Sequence, residues 1–425
     1  MTRRLLLVGS HPYDVESLVA IGEDARDRLG YDLVFASIAP PDVAEVVYAD
    51  LTERGLAHHP RQLLAFPRER RDPFARARAW RAANLAVVDH VVDEIAPTAV
   101  LATVDPPPGL FLDELVRRGV PAVLLQLFFW GDRRFQRDWR REDLRIRRAD
   151  LPRSRRWRAA VEQFAATRQG MRPQIAWDVH RATVAVEGPA MARQLVRDGV
   201  PADHVVATGN PVLDEVHRRA RDLAGSRRRI EAGLGLGPTD TIVTHFRSHE
   251  DRMLTLDAAT RAASQAQVIR SIRDAAPHAR VVVKIHPKEG AAERALIASI
   301  DDGVVIADAT TDTLDLIGAS DTVIGTFSTT LLHSVALDRP TISAMLWPGL
   351  EYWRRGTDWS GVERCDDGAA LTAAIRRNLS DDAHRAEWAR RRAEFRAEAF
   401  VDDGDGGGTR NVADLVERLV AERES

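Results

Sequence analysis

Short runs of hydrophobic residues alternate with amphipathic stretches along most of this chain. Such runs are typical of strands buried on both faces, and the stretches between them repeat apolar positions at helical spacing. Strands are predicted at 5–8, 33–37, 99–104 and 122–127, and again at 241–244, 281–285, 304–307, 322–325 and 341–345. Alternating strands and helices indicate βαβ units. The pattern predicts an α/β fold with two Rossmann-like domains facing across a cleft.

The chain has 425 residues, too many for one ordinary hydrophobic core. A predicted helix at 213–232 is followed by Gly-Leu-Gly-Leu-Gly-Pro at 233–238, which favours a hinge and a domain boundary. We therefore predict an N-terminal domain at 1–232 and a C-terminal domain at 233–400. The last stretch, 401–425, is predicted to be a helix that crosses back to the first domain.

One segment departs from the alternation. Residues 130–158 contain twelve Arg against five Asp and Glu, and three tryptophans, Trp130, Trp139 and Trp157. We predict a basic helical insertion near 130–172. Its charges form either a solvated face or a flap that meets an anionic acceptor or an anionic membrane surface. Nucleic acid is disfavoured because no continuing basic surface or recognisable module accompanies the segment.

Composition narrows the class of protein. The net charge is −3, and one cysteine, Cys365, rules out an internal disulfide framework and fits a reducing compartment. The apolar run at 5–8 is too short for a secretory signal, and no run approaches a membrane span. We expect a cytoplasmic protein, with peripheral contact at the inner membrane face as the closest approach to lipid.

The only two lysines, Lys284 and Lys288, flank His286 directly after the predicted strand 281–285. In a chain that otherwise uses Arg, two compact ammonium charges suit phosphate oxygens. The strand's carboxyl end is also the edge where open α/β sheets bind ligands. The alternative is that both lysines lie by chance on a solvated loop.

Two further strand ends carry polar residues. Ser328, Thr329 and Thr330 begin a helix after the strand 322–325, where free N–H groups and the helix dipole attract anions. Ser and Thr also serve as ordinary N-caps. Arg247 follows the strand 241–244 and could clamp a phosphate. Together these ends predict a diphosphate site between His286 and the Ser328 helix start.

These residues carry a family resemblance over about 205–415. The C-terminal half resembles the donor domain of GT-B glycosyltransferases, in particular CDP-glycerol glycerophosphotransferases, capsule-type transferases and non-hydrolysing UDP-N-acetylglucosamine 2-epimerases. The motifs that match are Lys284–Pro287, Ala319–Asp321, Ser328–Thr330, Arg339–Pro340, Thr208–Asp214, Glu351–Trp353 and Asp403–Gly404. The resemblance implies substrate-binding roles for Asn210 and Glu351. The epimerase stretches that carry the catalytic acids are replaced here, which disfavours epimerase activity.

The resemblance also implies a general base in the first domain. In many inverting GT-B enzymes, a histidine in the first turn deprotonates the acceptor, and His11 follows the first predicted strand here. Asp105 ends the strand 99–104 and would orient that histidine, with Asp14 and Glu16 as alternative bases. The alternative reading makes His11 a turn residue ahead of Pro12.

The same stretch, His-Pro-Tyr-Asp-Val-Glu, is similar to the His-Pro-Asp-Asp-x-Glu of zinc deacetylases. Tyr13 replaces the aspartate that acts there as the base, and no histidine pair has metal-ligand spacing. A zinc hydrolase is therefore disfavoured.

We expect metal-independent and cofactor-independent transfer of a sugar from a nucleotide-activated donor to an acceptor in cell-surface polysaccharide or glycoconjugate synthesis. The nearest alternative is glycerol- or ribitol-phosphate transfer from a CDP-activated donor. An epimerase-like enzyme, a zinc deacetylase and a non-catalytic nucleotide-sugar binder follow.

Overall fold

The computed structural model describes most of the chain. The described ranges are 3–9, 12–37, 41–59, 72–103, 111–126, 181–248, 258–286, 289–347, 359–401 and 407–425, with nine single helical positions between 134 and 168. These residues form two compact units. One comprises Met1–Phe129, Arg147–Asp214 and Ala399–Ser425, and the other Trp130–Ile146 and Glu215–Glu398.

The first unit is built on a sheet of six parallel strands in the order β2-β1-β3-β4-β5-β6. The strands are β1 Arg4–Gly9, β2 Asp32–Ser37, β3 Ala99–Ala102, β4 Ala122–Leu125, β5 Thr183–Val186 and β6 Val205–Ala207. Its described helices are Pro12–Leu29, Pro41–Glu53, Pro73–His90 (extended by a π turn, Val91–Ile95), Phe111–Arg117, Pro189–Arg197, Pro211–Ala220 and Gly407–Glu424, with a 3₁₀ turn at Ala202–His204. Leu5 and Leu7 of β1 lie in its core, together with Val412 and Val416 of the last helix.

The second unit repeats the plan, with strand order β12-β11-β10-β7-β8-β9 and parallel pairing throughout. Its strands are β7 Ile242–Phe246, β8 Arg280–Lys284, β9 Val305–Ala307, β10 Thr322–Gly325, β11 Thr341–Ala344 and β12 Glu363–Cys365. Its described helices are Leu223–Leu234, Ala258–Ala275, Ala291–Ile300, Thr313–Ala319, Thr329–Ala336, Gly368–Ser380 and Asp382–Ala399. The prediction of two Rossmann-like α/β sheets is confirmed.

The predicted strands agree with the structure to within a few residues, whereas the predicted helix 213–232 does not. It is two helices, Pro211–Ala220 and Leu223–Leu234, because the Asp222 carboxylate caps the second by accepting from the Gly225 N–H at 2.9 Å. Strands β5, β6 and β12 were absent from the sequence prediction. β12 contains two charged residues, Glu363 and Arg364, so no apolar run marks it.

The division between the units falls inside the helix Pro211–Ala220, not at the predicted boundary between residues 232 and 233. The helix Leu223–Leu234 belongs to the second unit because it packs on Thr313–Ala319. Buried Asp315 accepts hydrogen bonds from the Ser226 hydroxyl at 2.8 Å and from Arg229 Nε at 2.7 Å. Gly235 ends this helix in the left-handed conformation, φ 65°. That turn is the structural role of the first part of the Gly/Pro-rich stretch.

The described helices include none with both the length and the apolar character needed to cross a bilayer.

Candidate functional site

The order of strands in the second sheet defines a crevice. From β7 the chain builds β8 and β9 on one side, then returns to build β10, β11 and β12 on the other. Ligands of open α/β sheets bind at such a switch point, outside the carboxyl ends of the strands. Arg247 follows β7, and the helix Thr329–Ala336 follows β10. Both of these predicted binding elements therefore flank the crevice.

Arg247 gives the strongest indication of an anion-binding site at this edge. Its side chain is fully buried, and Nη2 lies 2.8 Å from Glu289 Oε1 in a buried ion pair. Nε and Nη1 have no hydrogen-bond partner among the described residues. Buried charges with unsatisfied donors cost free energy, so each one needs an explanation, such as a bound ion. An anionic ligand would satisfy these donors.

Glu289 links Arg247 to His286. One carboxylate oxygen pairs with Arg247, and the other accepts a hydrogen bond from the His286 backbone N–H at 3.0 Å. The Glu289 N–H in turn donates to the His286 carbonyl at 2.8 Å. Sequence reasoning missed Glu289, although it directly follows the lysine pair. Its position after Pro-Lys, one turn beyond the histidine, is the signal that was available.

Ser328 caps the helix Thr329–Ala336. Its hydroxyl oxygen accepts from the Thr330 N–H at 3.2 Å and lies 2.9 Å from Thr330 Oγ1. The ordinary capping role is thus realised at the position predicted to bind phosphate. The two roles are compatible because a cap satisfies one N–H and leaves the rest of the first turn available.

Lys284 does not match the predicted phosphate contact. Its ammonium group donates to the carbonyl oxygens of Asp308 and Thr311, the latter at 2.9 Å, and only 6% of the residue is exposed. Burial lowers its pKa. The predicted phosphate-binding role of Lys284 is therefore replaced by a structural one, in which its side chain joins β8 to the loop after β9. Lys288 and Glu351 lie outside the described residues.

His245, within β7, is a structural histidine. It is completely buried, and its Nε2 lies 3.1 Å from Gln265 Oε1. Burial, followed by the charge of Arg247, lowers its pKa to about 4, so that the ring is neutral at physiological pH.

Two motifs of the family resemblance lie at the opposite, amino edge of the second sheet. The Ser320 hydroxyl lies 2.6 Å from Thr244 Oγ1 and also donates to the Leu316 carbonyl. The Asp321 carboxylate accepts from the Ile242 N–H at 2.8 Å. Arg339 is largely buried just before β11. These residues tie strand starts together and have no place at the ligand edge.

Asn210 lies in the first unit, and its contacts there are structural. Its Oδ1 accepts from the Val212 N–H at 3.0 Å, at the start of the helix Pro211–Ala220. Four residues on, the Asp214 carboxylate accepts from the N–H groups of Gly408 and Thr409 at 2.9 and 2.8 Å. The Thr208–Asp214 motif therefore fastens the start of the last helix to the first sheet. The substrate role implied for Asn210 finds no support in these contacts.

The predicted general base follows the other switch point. In the first sheet, β1 lies between β2 and β3. Strand β1 ends at Gly9, and β3 ends at Ala102. His11 and Asp105, which come next in the chain, lie outside the described residues, as does the side chain of Asp14. Their roles stay predictions.

Comparison with known proteins bears on this arrangement. Residues 163–418 match the model of the family described as CDP-Glycerol:Poly(glycerophosphate) glycerophosphotransferase. A sequence search finds no significant match among curated proteins.

Solved structures share the fold over nearly the whole chain. A UDP-GlcNAc 2-epimerase from Neisseria meningitidis bound to UDP-GlcNAc has a TM-score of 0.59 at 10% identity, covering 98% of this chain and 100% of that one. A glycosyltransferase from Rickettsia africae has a TM-score of 0.55 at 10% identity, covering 99% of each chain. The wall teichoic acid polymerase TagF has a TM-score of 0.54 at 11% identity, covering 100% and 90%. At such identities the likeness concerns the fold, and it agrees with the predicted GT-B class.

Proposed function

The chain belongs to the CDP-glycerol:poly(glycerophosphate) glycerophosphotransferase family, and we propose that it transfers a polyol phosphate from a CDP-activated donor to an acceptor hydroxyl group. It is a transferase of the GT-B type. The observation that carries the proposal is the family match, because residues 163–418 include β7–β12 and every described residue of the diphosphate edge. The family match therefore favours polyol-phosphate transfer, the nearest alternative in the sequence analysis, over sugar transfer.

The diphosphate of the donor would lie across β7. That strand lies between β8 and β10, so Arg247 stands between His286 and the Ser328-capped helix. Two strand spacings amount to about 10 Å, enough for two phosphate groups. Arg247 would donate from Nε and Nη1, the helix start would contribute backbone N–H groups, and His286 would bind the leaving phosphate.

The reaction exchanges one P–O bond for another. The acceptor oxygen attacks the phosphorus that carries the polyol and forms a new P–O bond. The bond from that phosphorus to the bridging oxygen breaks, and CMP leaves with the electron pair. The hydroxyl proton passes to the base, for which His11 is our candidate. Arg247 and the helix start would stabilise the charge that develops on CMP.

Release of CMP from CDP-glycerol tests this proposal. Full-length protein with an oligo(glycerol phosphate) acceptor should release CMP and lengthen the acceptor, followed by chromatography and mass spectrometry. In a thermal-shift panel, CDP and CMP should raise Tm more than UDP, GDP or TDP. Preferential stabilisation by UDP, GDP or TDP, with no CMP release, would contradict the proposal.

Sugar transfer from a nucleotide sugar is the second candidate. The described contacts address only a diphosphate, which nucleotide sugars share with CDP-glycerol. The nucleotide panel separates the two. We also propose that neither reaction needs a divalent ion, since Arg247 and the helix start supply positive charge. Loss of activity with EDTA and its recovery with Mg²⁺ would overturn this point.

We further propose that the basic segment faces an anionic, membrane-associated acceptor. Its described positions 157, 160, 161, 164, 165 and 168 share one face at helical spacing. Trp157 is 73% exposed and Phe164 56%, and the Arg168 guanidinium lies 5.9 Å from the Phe164 ring centroid. Trp157→Ser should reduce sedimentation with vesicles containing phosphatidylglycerol. Unchanged sedimentation would count against this role.

A further inference from the structure

Glu187, the first residue after β5, carries a buried carboxyl group outside the diphosphate edge. It is 2% exposed, and neither carboxyl oxygen has a hydrogen-bond partner among the described residues. Burial raises its pKa to about 8, and no charged neighbour contributes to that shift. At neutral pH the group is therefore mostly an uncharged carboxylic acid.

The backbone around Glu187 is held firmly. Its carbonyl accepts from the Val401 N–H at 2.9 Å. The next residue, Gly188, lies so close to the chain before the last helix that a Cβ would be 2.1 Å from the Ala399 carbonyl oxygen. An unpaired buried carboxyl is a costly choice, since such a group typically destabilises a fold by about 1–3 kcal/mol.

Neutral polar residues follow the two strands on either side of β5, and another follows β3, one strand further away. At the carboxyl edge of the first sheet, Thr103 follows β3, Gln126 follows β4 and Thr208 follows β6. By register, Glu187 stands level with Thr208. The buried Thr103 hydroxyl has no hydrogen-bond partner among the described residues. The helix Pro189–Arg197 begins next to Glu187 with no side-chain cap.

Such a row matches a hydroxylated ligand. A protonated carboxyl group donates one hydrogen bond and accepts others, and threonine hydroxyls do the same. An alcohol also donates and accepts, so one hydroxyl can satisfy both needs of the acid. A free phosphate is a poorer match, because no described cation lies among these residues.

We propose that Glu187, with the polar row after β3, β4 and β6, is a hydroxyl-binding subsite for a polyol or sugar unit of the acceptor. The identification of its occupant as the acceptor rests on the proposed function, but binding of a polyol does not. Glu187 contacts that unit as a neutral donor and acceptor, separate from the base that deprotonates the reacting hydroxyl.

Two substitutions test the subsite. Glu187→Met removes both polar atoms at similar length, and Glu187→Gln keeps an uncharged donor and acceptor. The probe is a synthetic tri(glycerol phosphate) with a free terminal hydroxyl, titrated calorimetrically into full-length protein without donor. Glu187→Met should weaken binding about 10-fold or more, while Glu187→Gln stays within about threefold of wild type. In turnover, the effect should fall on the acceptor KM rather than on kcat.

Controls separate this role from damage to the fold. Glu187→Met should have a Tm at pH 7.5 no lower than wild type, since it removes an unsatisfied group. Glu94→Met changes an exposed glutamate before β3, at the opposite edge, and should leave binding unchanged. Wild-type affinity in Glu187→Met, a 10-fold loss in Glu187→Gln, or no binding by wild type would each overturn the subsite. If only CMP release from CDP-glycerol fails, the proposed function falls and the subsite stands.

Discussion

At the carboxyl edge of the second sheet the buried, unsatisfied group is a guanidinium, Arg247, whereas at the same edge of the first sheet it is a carboxyl group, Glu187. Both sheets have six parallel strands and a switch point beside their first strand. The backbone plan is therefore repeated, and the chemistry is not. A cationic edge suits phosphates, and a neutral polar edge suits hydroxyl groups. We infer a division of labour between a donor edge and an acceptor edge.

The largest expected effect concerns the base of the acceptor side. His11→Ala should lower kcat by roughly 10²–10⁴, the usual range for a general base, because the acceptor hydroxyl would then keep its proton. Nucleotide affinity, measured by titration with CDP, should stay nearly unchanged.

Near-full turnover of His11→Ala at saturating donor would pass the role to Asp14 or Glu16. Loss of nucleotide binding in that variant would mean that donor and acceptor edges have been assigned the wrong way round.

Arg247→Met should come next in size. It removes charge-assisted contacts worth about 1.5–3 kcal/mol, so CDP should bind roughly 10- to 150-fold more weakly. The variant also leaves Glu289 buried without its cation, so Tm is expected to fall.

The double variant Arg247→Met/Glu289→Gln separates the two effects: Tm should recover in part, and CDP affinity should not. Arg280→Met is the matched control, because Arg280 is exposed at the amino edge and pairs with Asp240. Weakened CDP binding in that control would contradict the assignment to the carboxyl edge.

Most strands could be predicted from the sequence because short, mainly apolar runs such as 281–285 are typical of strands buried on both faces. The sequence could not separate the ends of strands by function. Lys284 and His286 are two residues apart in sequence, yet their roles differ. The ammonium group of Lys284 donates to loop carbonyl oxygens, whereas His286 lies beside the ion pair between Arg247 and Glu289. Ser320 and Ser328 belong to similar motifs at opposite edges. Motif spacing records neither burial nor pairing, and those decide the role.

Glu187 is the opposite case, a candidate binding residue that the sequence does not mark. A glutamate before Gly-Pro looks like an exposed turn residue in sequence. The backbone of Glu187 and Gly188 packs against the chain at 399–401, more than two hundred residues away, and no local pattern carries that information.

The pH dependence of stability sharpens the contrast between the edges. The pKa of Glu187 is raised from about 4.5 to about 8, so between these values the unfolded chain has released a proton that the folded chain keeps. Stability should therefore fall as pH rises from about 4.5 and level off above about 8, by at most about 5 kcal/mol. Glu187→Gln should lack this fall, which scanning calorimetry of both proteins from pH 5 to pH 9 would reveal. Parallel Tm curves would contradict the buried neutral acid.

The smallest effect concerns the attachment of the last helix to the first unit. Asp214→Ala removes the carboxylate that accepts from Gly408 and Thr409, and should cost about 1 kcal/mol, as for other N-terminal caps. Amide hydrogen exchange should accelerate in 407–424. Asp414→Ala, on an exposed residue of the same helix, should change little. Equal hydrogen-exchange rates in the Asp214→Ala and Asp414→Ala variants would contradict the role of Asp214 in fastening the last helix.

The division of labour is tested most directly by titrating CDP and tri(glycerol phosphate) separately into Arg247→Met and Glu187→Met. The account predicts a crossed pattern. Arg247→Met should weaken CDP binding roughly 10-fold or more and leave the acceptor analogue unaffected, and Glu187→Met should do the reverse. Loss of both ligands in either variant, or the opposite pairing of variant and ligand, would contradict it.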